Sequence, residues 1–266
     1  MKLSFYRPKN DLLKKYIEGY YFIHEDKNSC EIIYKTFPNN YCIVTTNQNI
    51  LVEYKTNEVI LKSSKNENII TCVVSRYSSP IQIHYKHPIN EITIYFKPLG
   101  INHFINDTKQ IYSENTLLDF TFFPEYNAKM KEIFELEKDK QVIELEKYLL
   151  SKLQLKDFSL IQNIITDVES DMKIEDIAEK YNITRQYLNK IIKKHIGKSA
   201  SEYRKIHRFR ASLIKEKQSK NFTELSQLEF YDQSHFIRDF KKLTEVKPLQ
   251  FFKKVDTNKE NVWLFI

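Results

Sequence analysis

Two kinds of hydrophobic spacing divide the chain. Between Ile32 and Phe96 short runs of β-branched and aromatic residues recur: EIIYKTF, YCIVTT, ILVEYK, EVILKS, IITCVVS, IQIHY and EITIYF. Pro, Asn and Ser punctuate them, as in PNN at 38 to 40 and SSP at 78 to 80. Runs of this composition bounded by turn formers read as strands, and seven at close spacing predict a sandwich or a small barrel. From Leu117 onward the period lengthens. In EIFELEKDKQVIELEKYLLSKLQ, Glu132 to Gln154, the apolar residues Ile133, Leu136, Val142, Leu145 and Leu149 fall on helical faces, because side chains three or four apart share one side of a helix. The segment predicts a helical connector with a short break near Lys156, and no Gly/Ser-rich linker separates the halves.

Beyond Asp157 the pattern is helical, and two segments share a plan: KIEDIAEKYNITRQYLNKIIKKHIG and FTELSQLEFYDQSHFIRDFKKLTEVKP. Each reads as a short amphipathic helix, a tight turn, a capped start and a longer helix with donors on its outer face, which is a helix-turn-helix unit. In the first, Ile177 and Ala178 pack one helix, Asn182 takes the turn where left-handed backbone is tolerated, and Thr184 caps the next helix. Leu188, Ile191 and Ile192 then face the core and leave Arg185, Gln186, Asn189, Lys190 and Lys193 outward. In the second, Phe236, Phe240 and Leu243 form the apolar stripe, Asp232 stands at the N-cap, and Gln233, Ser234, His235, Arg238, Lys241 and Lys242 carry the donors. Between the units, SASEYRKIHRFRASLIKEK makes a third amphipathic stretch that adds Arg204, Lys205, Arg208 and Arg210. Its expected role is a strut that fixes the two units relative to each other.

Composition sharpens this picture. The chain has 266 residues, 41% apolar and 14% aromatic, enough for two packed domains. Its net charge of +7 is unevenly placed: Arg185 to Lys220 holds 12 Lys/Arg against only Glu202 and Glu216. A positive block on an otherwise mildly acidic protein is the footprint of a phosphate-backbone binder. The outward residue types also suit base reading, with Arg bidentate to guanine, Asn or Gln to adenine, and Lys mainly to the backbone.

Other functions are weakly signalled. Cys30, Cys42 and Cys72 are odd in number and lack C-x-x-C spacing, against a disulfide framework or a zinc site and in keeping with a reducing compartment. There is no basic-then-apolar leader and no apolar run long enough to span a bilayer, so a cytoplasmic protein with no membrane association is expected. No nucleotide loop, nucleophile elbow or paired-carboxylate motif appears, and no catalytic residue, cofactor or metal is assigned. One enzymatic alternative rests on His84, His87 and Glu91 in IHYKHPINE, loosely like the metal ligands of a cupin-type barrel. Residues three apart in a strand point to opposite faces, so the two histidines converge only if the strand ends between them, as Pro88 suggests.

The residues of the second half carry a family likeness. IAEKYNITRQYL, the EYRKIHRFR linker and DQSHFIRDFKK…KPLQFF, with Pro248 and Phe251, lie within Asp171 to Val255, which resembles the DNA-binding domain of AraC-type bacterial transcription activators. LLKKYIEGYYF, VSRYSSPIQIHY and INEITIYFKPLGINHFI in the first half are similar to the β-rich sensor-like domain that precedes this module in one branch of the family. The resemblance implies an α+β chain: a sensor or dimerisation domain at 1–112, a helical connector at 113–156, a double helix-turn-helix domain at 157–255 and a tail at 256–266. It also implies promoter DNA as partner, with RNA polymerase, a small-molecule effector and a second copy of the chain as further partners. A repressor without ligand sensing is the alternative. Two departures stand out. Glu224 to Phe230 is one residue shorter than the family's second turn and has Glu229 in place of its glycine, and Glu245 stands where the family has another glycine. One residue amounts to about 100° of helix rotation, so the second unit is expected to restart its cap earlier or to sit differently.

Overall fold

Residues 2–24, 31–113, 116–117, 119–216 and 233–254 are described by a computed structural model. The architecture follows from strands that are apolar on both faces. In β2 (Ile17–His24) Tyr21 and Ile23 point to one side and Tyr20 and Phe22 to the other, and all four are buried. A strand covered on both faces shows a continuous apolar run rather than alternation. β2 pairs antiparallel with β1 (Lys2–Tyr6) and β9 (Asn90–Phe96), and the sheet continues through β4 (Cys42–Gln48), β7 (Ile69–Val74) and β10 (Thr116–Leu117) in the order β1-β2-β9-β4-β7-β10. A second sheet runs β3-β8-β6-β5, from β3 (Ile32–Thr36), β5 (Ile50–Lys55), β6 (Glu58–Ser63) and β8 (Ile81–Tyr85), with β6 and β8 parallel and the other pairs antiparallel.

All seven strands expected from the sequence form, and β1, β2 and β10 join them. β2 escaped the reading because it follows α1 (Asp11–Tyr16) with no turn residue between them. The inner face of the six-stranded sheet meets the four-stranded sheet through Tyr21, Ile43, Leu61, Tyr85 and Tyr95. Its outer face is covered by α3 (Tyr126–Phe134) and α4 (Lys138–Lys152), whose Ile133, Val142, Leu145 and Leu149 pack with Tyr20, Phe22, Val44 and Ile94. The 132–154 stretch is therefore two helices. Leu136 lies in the break, where Gln141 Nε2 donates to the carbonyls of Phe134 and Leu136 at 3.2 and 3.1 Å.

The described residues of the second half are helical: α5 (Ser159–Glu169), α6 (Ile174–Lys180), α7 (Arg185–Ile196), α8 (Ala200–Glu216), α9 (Gln233–Thr244) and α10 (Pro248–Lys254). Two apolar clusters organise it, and each takes one residue from the β half. Leu99 enters the first with Ile164, Val168, Ile177, Leu188, Ile192 and Tyr203. Phe37 enters the second with Phe209, Leu213, Phe236, Phe240 and Phe251. Leu99 adopts a left-handed backbone, φ 64°, to do so. That conformation costs a residue with a Cβ about 1 to 2 kcal/mol, which burial of the leucine side chain, at about 1.5 to 3 kcal/mol, offsets. The Phe37 ring stands edge-on to Phe251, with centroids 5.0 Å apart.

Phe37→Ala is expected to cost about 3 to 5 kcal/mol, and the loss should concentrate in the helical half. Native-state hydrogen exchange at the Phe240 and Phe251 amides should quicken in the variant. Unchanged exchange there would mean that Phe37 is not part of that core.

Candidate nucleic-acid interface

The first helix-turn-helix unit is built as its sequence directs. Asn182 takes the turn at φ 53°, and Thr184 Oγ1 accepts a hydrogen bond from the Tyr187 N–H at 3.1 Å, capping α7. Gly197, at φ 81°, ends the helix with its N–H on the Lys193 carbonyl at 2.9 Å. Leu188 and Ile192 are buried and Ile191 is half-buried, which turns Arg185, Gln186, Lys190 and Lys193 to solvent. Tyr187 and Lys194 are exposed beside them. The sequence reading passed over both, although 100° steps from Gln186 and Lys193 place them on the same arc. Arg185 forms an exposed ion pair with Glu175 at 2.7 Å, of the kind worth about 0 to 1 kcal/mol.

Asn189 does not share that presentation. It is half-buried, donates Nδ2 to the Arg185 carbonyl at 3.1 Å, and accepts from the Ala200 N–H at 3.0 Å through Oδ1. The side chain ties α7 to the start of α8.

In the second unit Phe236, Phe240 and Leu243 form the buried stripe, with Phe209 and Phe251 each 5.2 Å from the Phe240 ring centroid. His235, Arg238, Lys241 and Lys242 are exposed. Helical spacing sets Arg238 opposite the stripe. Gln233 and Ser234 open α9; their side chains, the Asp232 cap and the shortened turn from Glu224 to Phe230 lie outside the described residues. Glu245 occupies left-handed backbone at φ 65° after the helix, the conformation a glycine adopts freely. Its carboxylate reaches Lys35 of β3 at 3.2 Å.

α8 packs against both α7 and α9. Seventeen residues long, it is about 25 Å of rod between the two units. The basic residues expected to add charge for DNA are largely committed within the protein. Arg204 donates to the Val168 and Met172 carbonyls at 2.7 and 2.6 Å, Lys205 pairs with Asp239 at 3.0 Å, and Arg208 pairs with Asp171 at 3.1 Å. Arg210 Nε donates to the Pro38 carbonyl at 2.9 Å and its guanidinium also holds the Phe37 carbonyl. The outward positive surface therefore belongs to α7 and α9 more than to the strut.

The β half also holds the first unit. Asn102 Nδ2 donates to the His195 carbonyl at 2.9 Å and Thr108 Oγ1 to the Lys194 carbonyl at 3.3 Å, satisfying acceptors that a helix C-terminus leaves open. Asn40 Nδ2 donates to the Tyr203 carbonyl of α8 at 3.0 Å. Lys198 is buried, with its ammonium on the Ser75 carbonyl.

The cupin-like metal site does not form. β8 turns Ile83 and Tyr85 toward the space between the sheets, so His84 faces outward and pairs with Glu31, while His87 is exposed beyond the strand. Glu91 is buried between the sheets on β9. Among the described residues no three His, Cys, Asp or Glu side chains are grouped to hold a metal ion, and no helix is long and apolar enough to cross a membrane.

A family model described as a helix-turn-helix domain matches residues 177–254. Residues 177–254 form a helix-turn-helix domain of the AraC/XylS type. Solved structures similar to the chain include ToxT from Vibrio cholerae, at 13% identity and a TM-score of 0.46, over 95% of this chain and 98% of that one. Another is ToxT from Vibrio cholerae O395 bound to (E)-4-(8-methylnaphthalen-1-yl)but-3-enoic acid, at 14% identity and a TM-score of 0.45, over 88% and 98%. A third is ToxT with an unsaturated fatty acid bound, at 15% identity and a TM-score of 0.41, over 87% and 94%. A comparison with curated proteins gives no match. Within the AraC/XylS-type domain, α7 is the longer second helix of the first unit, and α8 joins it to α9.

Lys198 gives the junction between this domain and the β half a measurable signature. Burial holds its ammonium pKa down to about 8, against 10.5 when solvated. The unfolded state therefore binds more protons between those values, and the penalty, complete below pH 8, is relieved as pH rises toward 10.5. Over that range the unfolding free energy of the wild type should gain on that of Lys198→Met by about 3 kcal/mol. A difference independent of pH would mean that the ammonium is solvated in the folded protein.

Proposed function

We propose that the chain is a one-component transcriptional regulator whose AraC/XylS-type domain reads promoter DNA and whose β half senses an effector. The observation that carries the reading is the pair of outward, donor-bearing helices α7 and α9 set on a common strut. In this reading residues 1–112 sense or dimerise, 113–156 connect, 157–255 bind DNA and 256–266 form a tail. Gln186 and Arg185 contact bases from α7, with Lys190 and Lys193 on the phosphates. From α9, Arg238 reaches a base and Gln233, Ser234, His235, Lys241 and Lys242 supply flanking contacts. Asn189 and Arg208 serve the interface indirectly, through the packing of α7 and α8. The two helices enter successive major grooves about 34 Å apart on one face of the duplex. RNA polymerase and a second copy of the chain are the protein partners this function implies.

Support for effector sensing comes from a chain of contacts linking the space between the sheets to α8. Tyr77 lines that space, and its hydroxyl donates to the Phe37 carbonyl, the same oxygen that Arg210 holds from α8. Thr36 Oγ1 lies 3.1 Å from the Tyr77 hydroxyl, and Asn39 Nδ2 donates to that hydroxyl at 3.0 Å. A shift of Tyr77 is thereby felt at the strut.

Titration of the intact chain with duplex DNA selected by the protein should show affinity falling steeply with salt, since each neutralised phosphate releases counterion. Affinity that ignores salt would overturn the DNA-binding assignment. Arg238→Ala should cost about 1 to 3 kcal/mol on the selected site and relax one base position. Equal weakening on every single-base variant of the site would mean that α9 positions the protein and α7 alone reads sequence.

A further inference from the structure

The space between the two sheets is a cavity of about 90 Å³, and its largely aromatic and aliphatic lining includes the Glu91 carboxyl and the Asn47 carboxamide. Asn47 on β4 and Glu91 on β9 are paired across neighbouring strands, both line the cavity, and each is 1% exposed. Glu91 accepts from the Tyr85 hydroxyl at 2.9 Å, from Thr93 Oγ1 at 3.0 Å and from the Tyr21 hydroxyl. Among the described residues Asn47 Oδ1 is buried with no hydrogen-bond partner. Among the described lining residues there is no Lys, Arg or His to supply Glu91 with a counter-charge. Buried acceptors are almost always satisfied, and an orphan one marks a missing donor. Burial pushes the Glu91 carboxyl above its ordinary pKa, so this carboxyl beside an unsatisfied carbonyl oxygen suits a guest that brings several N–H bonds and the positive charge that favours the ionised carboxylate.

The walls suit the same guest. Tyr34, Tyr54, Tyr85 and Tyr95 line the cavity, and aromatic faces attract a cation electrostatically. Val52, Val59 and Ile83 complete an apolar lining. An engineered cavity of about 150 Å³ admits benzene, so this smaller space suits a short, unbranched body. A ligand carboxylate would bring only acceptors and negative charge to the Glu91 carboxyl and Asn47 Oδ1, and a plain hydrocarbon would leave Asn47 Oδ1 without a donor.

We propose that this cavity binds a small primary ammonium ligand with a short apolar chain, its head group held by Glu91 and Asn47. The assignment deepens the sensor reading of the β half and rests on it for the ligand's regulatory effect, though not for binding. Occupation bears on the Tyr77 wall, and from there on the Phe37 carbonyl and Arg210.

The test is calorimetric titration of the intact chain with n-butylammonium, n-butanol and butyrate, using the wild type, Glu91→Gln and Asn47→Ala. Butylammonium should bind at least roughly tenfold more tightly than either other probe, as expected of charge-assisted hydrogen bonds against neutral ones. Glu91→Gln should lose about that factor, and Asn47→Ala a smaller part of it, with the native circular dichroism spectrum retained. If Glu91→Gln does not fold, the selective loss of butylammonium binding in Asn47→Ala carries the test. Butyrate binding as well as butylammonium, undiminished butylammonium binding in the variants, or no binding of any probe because the cavity holds only water would each overturn the proposal. DNA affinity measured in the same samples separates the two readings. Ammonium binding that leaves DNA affinity unchanged supports the site and contradicts the sensor reading. Absence of DNA binding alongside intact ammonium binding contradicts the regulator reading alone.

Discussion

One carbonyl oxygen ties the protein together. The Phe37 carbonyl receives a hydrogen bond from Tyr77 on the β side and another from Arg210 on the helical side, while the Phe37 ring fills the core of the second helix-turn-helix unit. The peptide group and side chain of a single residue thus join a sheet cavity, the strut α8 and the helix α9. A buried guanidinium is stable only where its donors are met, and the Phe37 and Pro38 carbonyls meet them for Arg210. Removal of the turn would strand a charge as well as open a hole.

The same logic extends to the first unit. Leu99 enters its core and Asn102 and Thr108 receive the end of α7, so neither unit completes its packing without the β half. A double-headed DNA reader needs its two heads at a fixed separation, because successive major grooves recur at a set distance. α8 sets that separation along its length, and the contacts at both of its flanks fix how the units are turned. The arrangement explains why so many basic residues of α8 are directed inward: Arg204, Arg208 and Arg210 hold helix ends, an aspartate and the β-side turn.

The sequence disclosed the local structure well. Asn182 and Thr184 announced the turn and cap of the first unit, the Phe236, Phe240 and Leu243 stripe announced the face of α9, and seven short runs became seven strands, because each signal is local in the chain. What it hid was long-range. Arg210 looks like any cation in a basic helix, and only its proximity to residues about 170 positions earlier shows it to be structural. Asn189 has the chemistry of an adenine reader, yet Ala200, eleven residues on, engages it. The spacing of His84, His87 and Glu91 suggests a metal site, and the alternation of β8 sends His84 to the opposite face. That no donor among the described residues reaches Asn47 Oδ1 appears only once the two sheets are stacked. Helix periodicity says which side is out, and it does not say which outward cations are already paired.

The central claim is that one chain presents two reading helices at a spacing held by the strut and the β half. Hydroxyl-radical footprinting of the intact protein on its selected DNA tests it most directly. The expected pattern is two protected patches on one face of the duplex, their centres about one helical turn, or 10 to 10.5 base pairs, apart. A single patch, or two patches at variable separation, would contradict it.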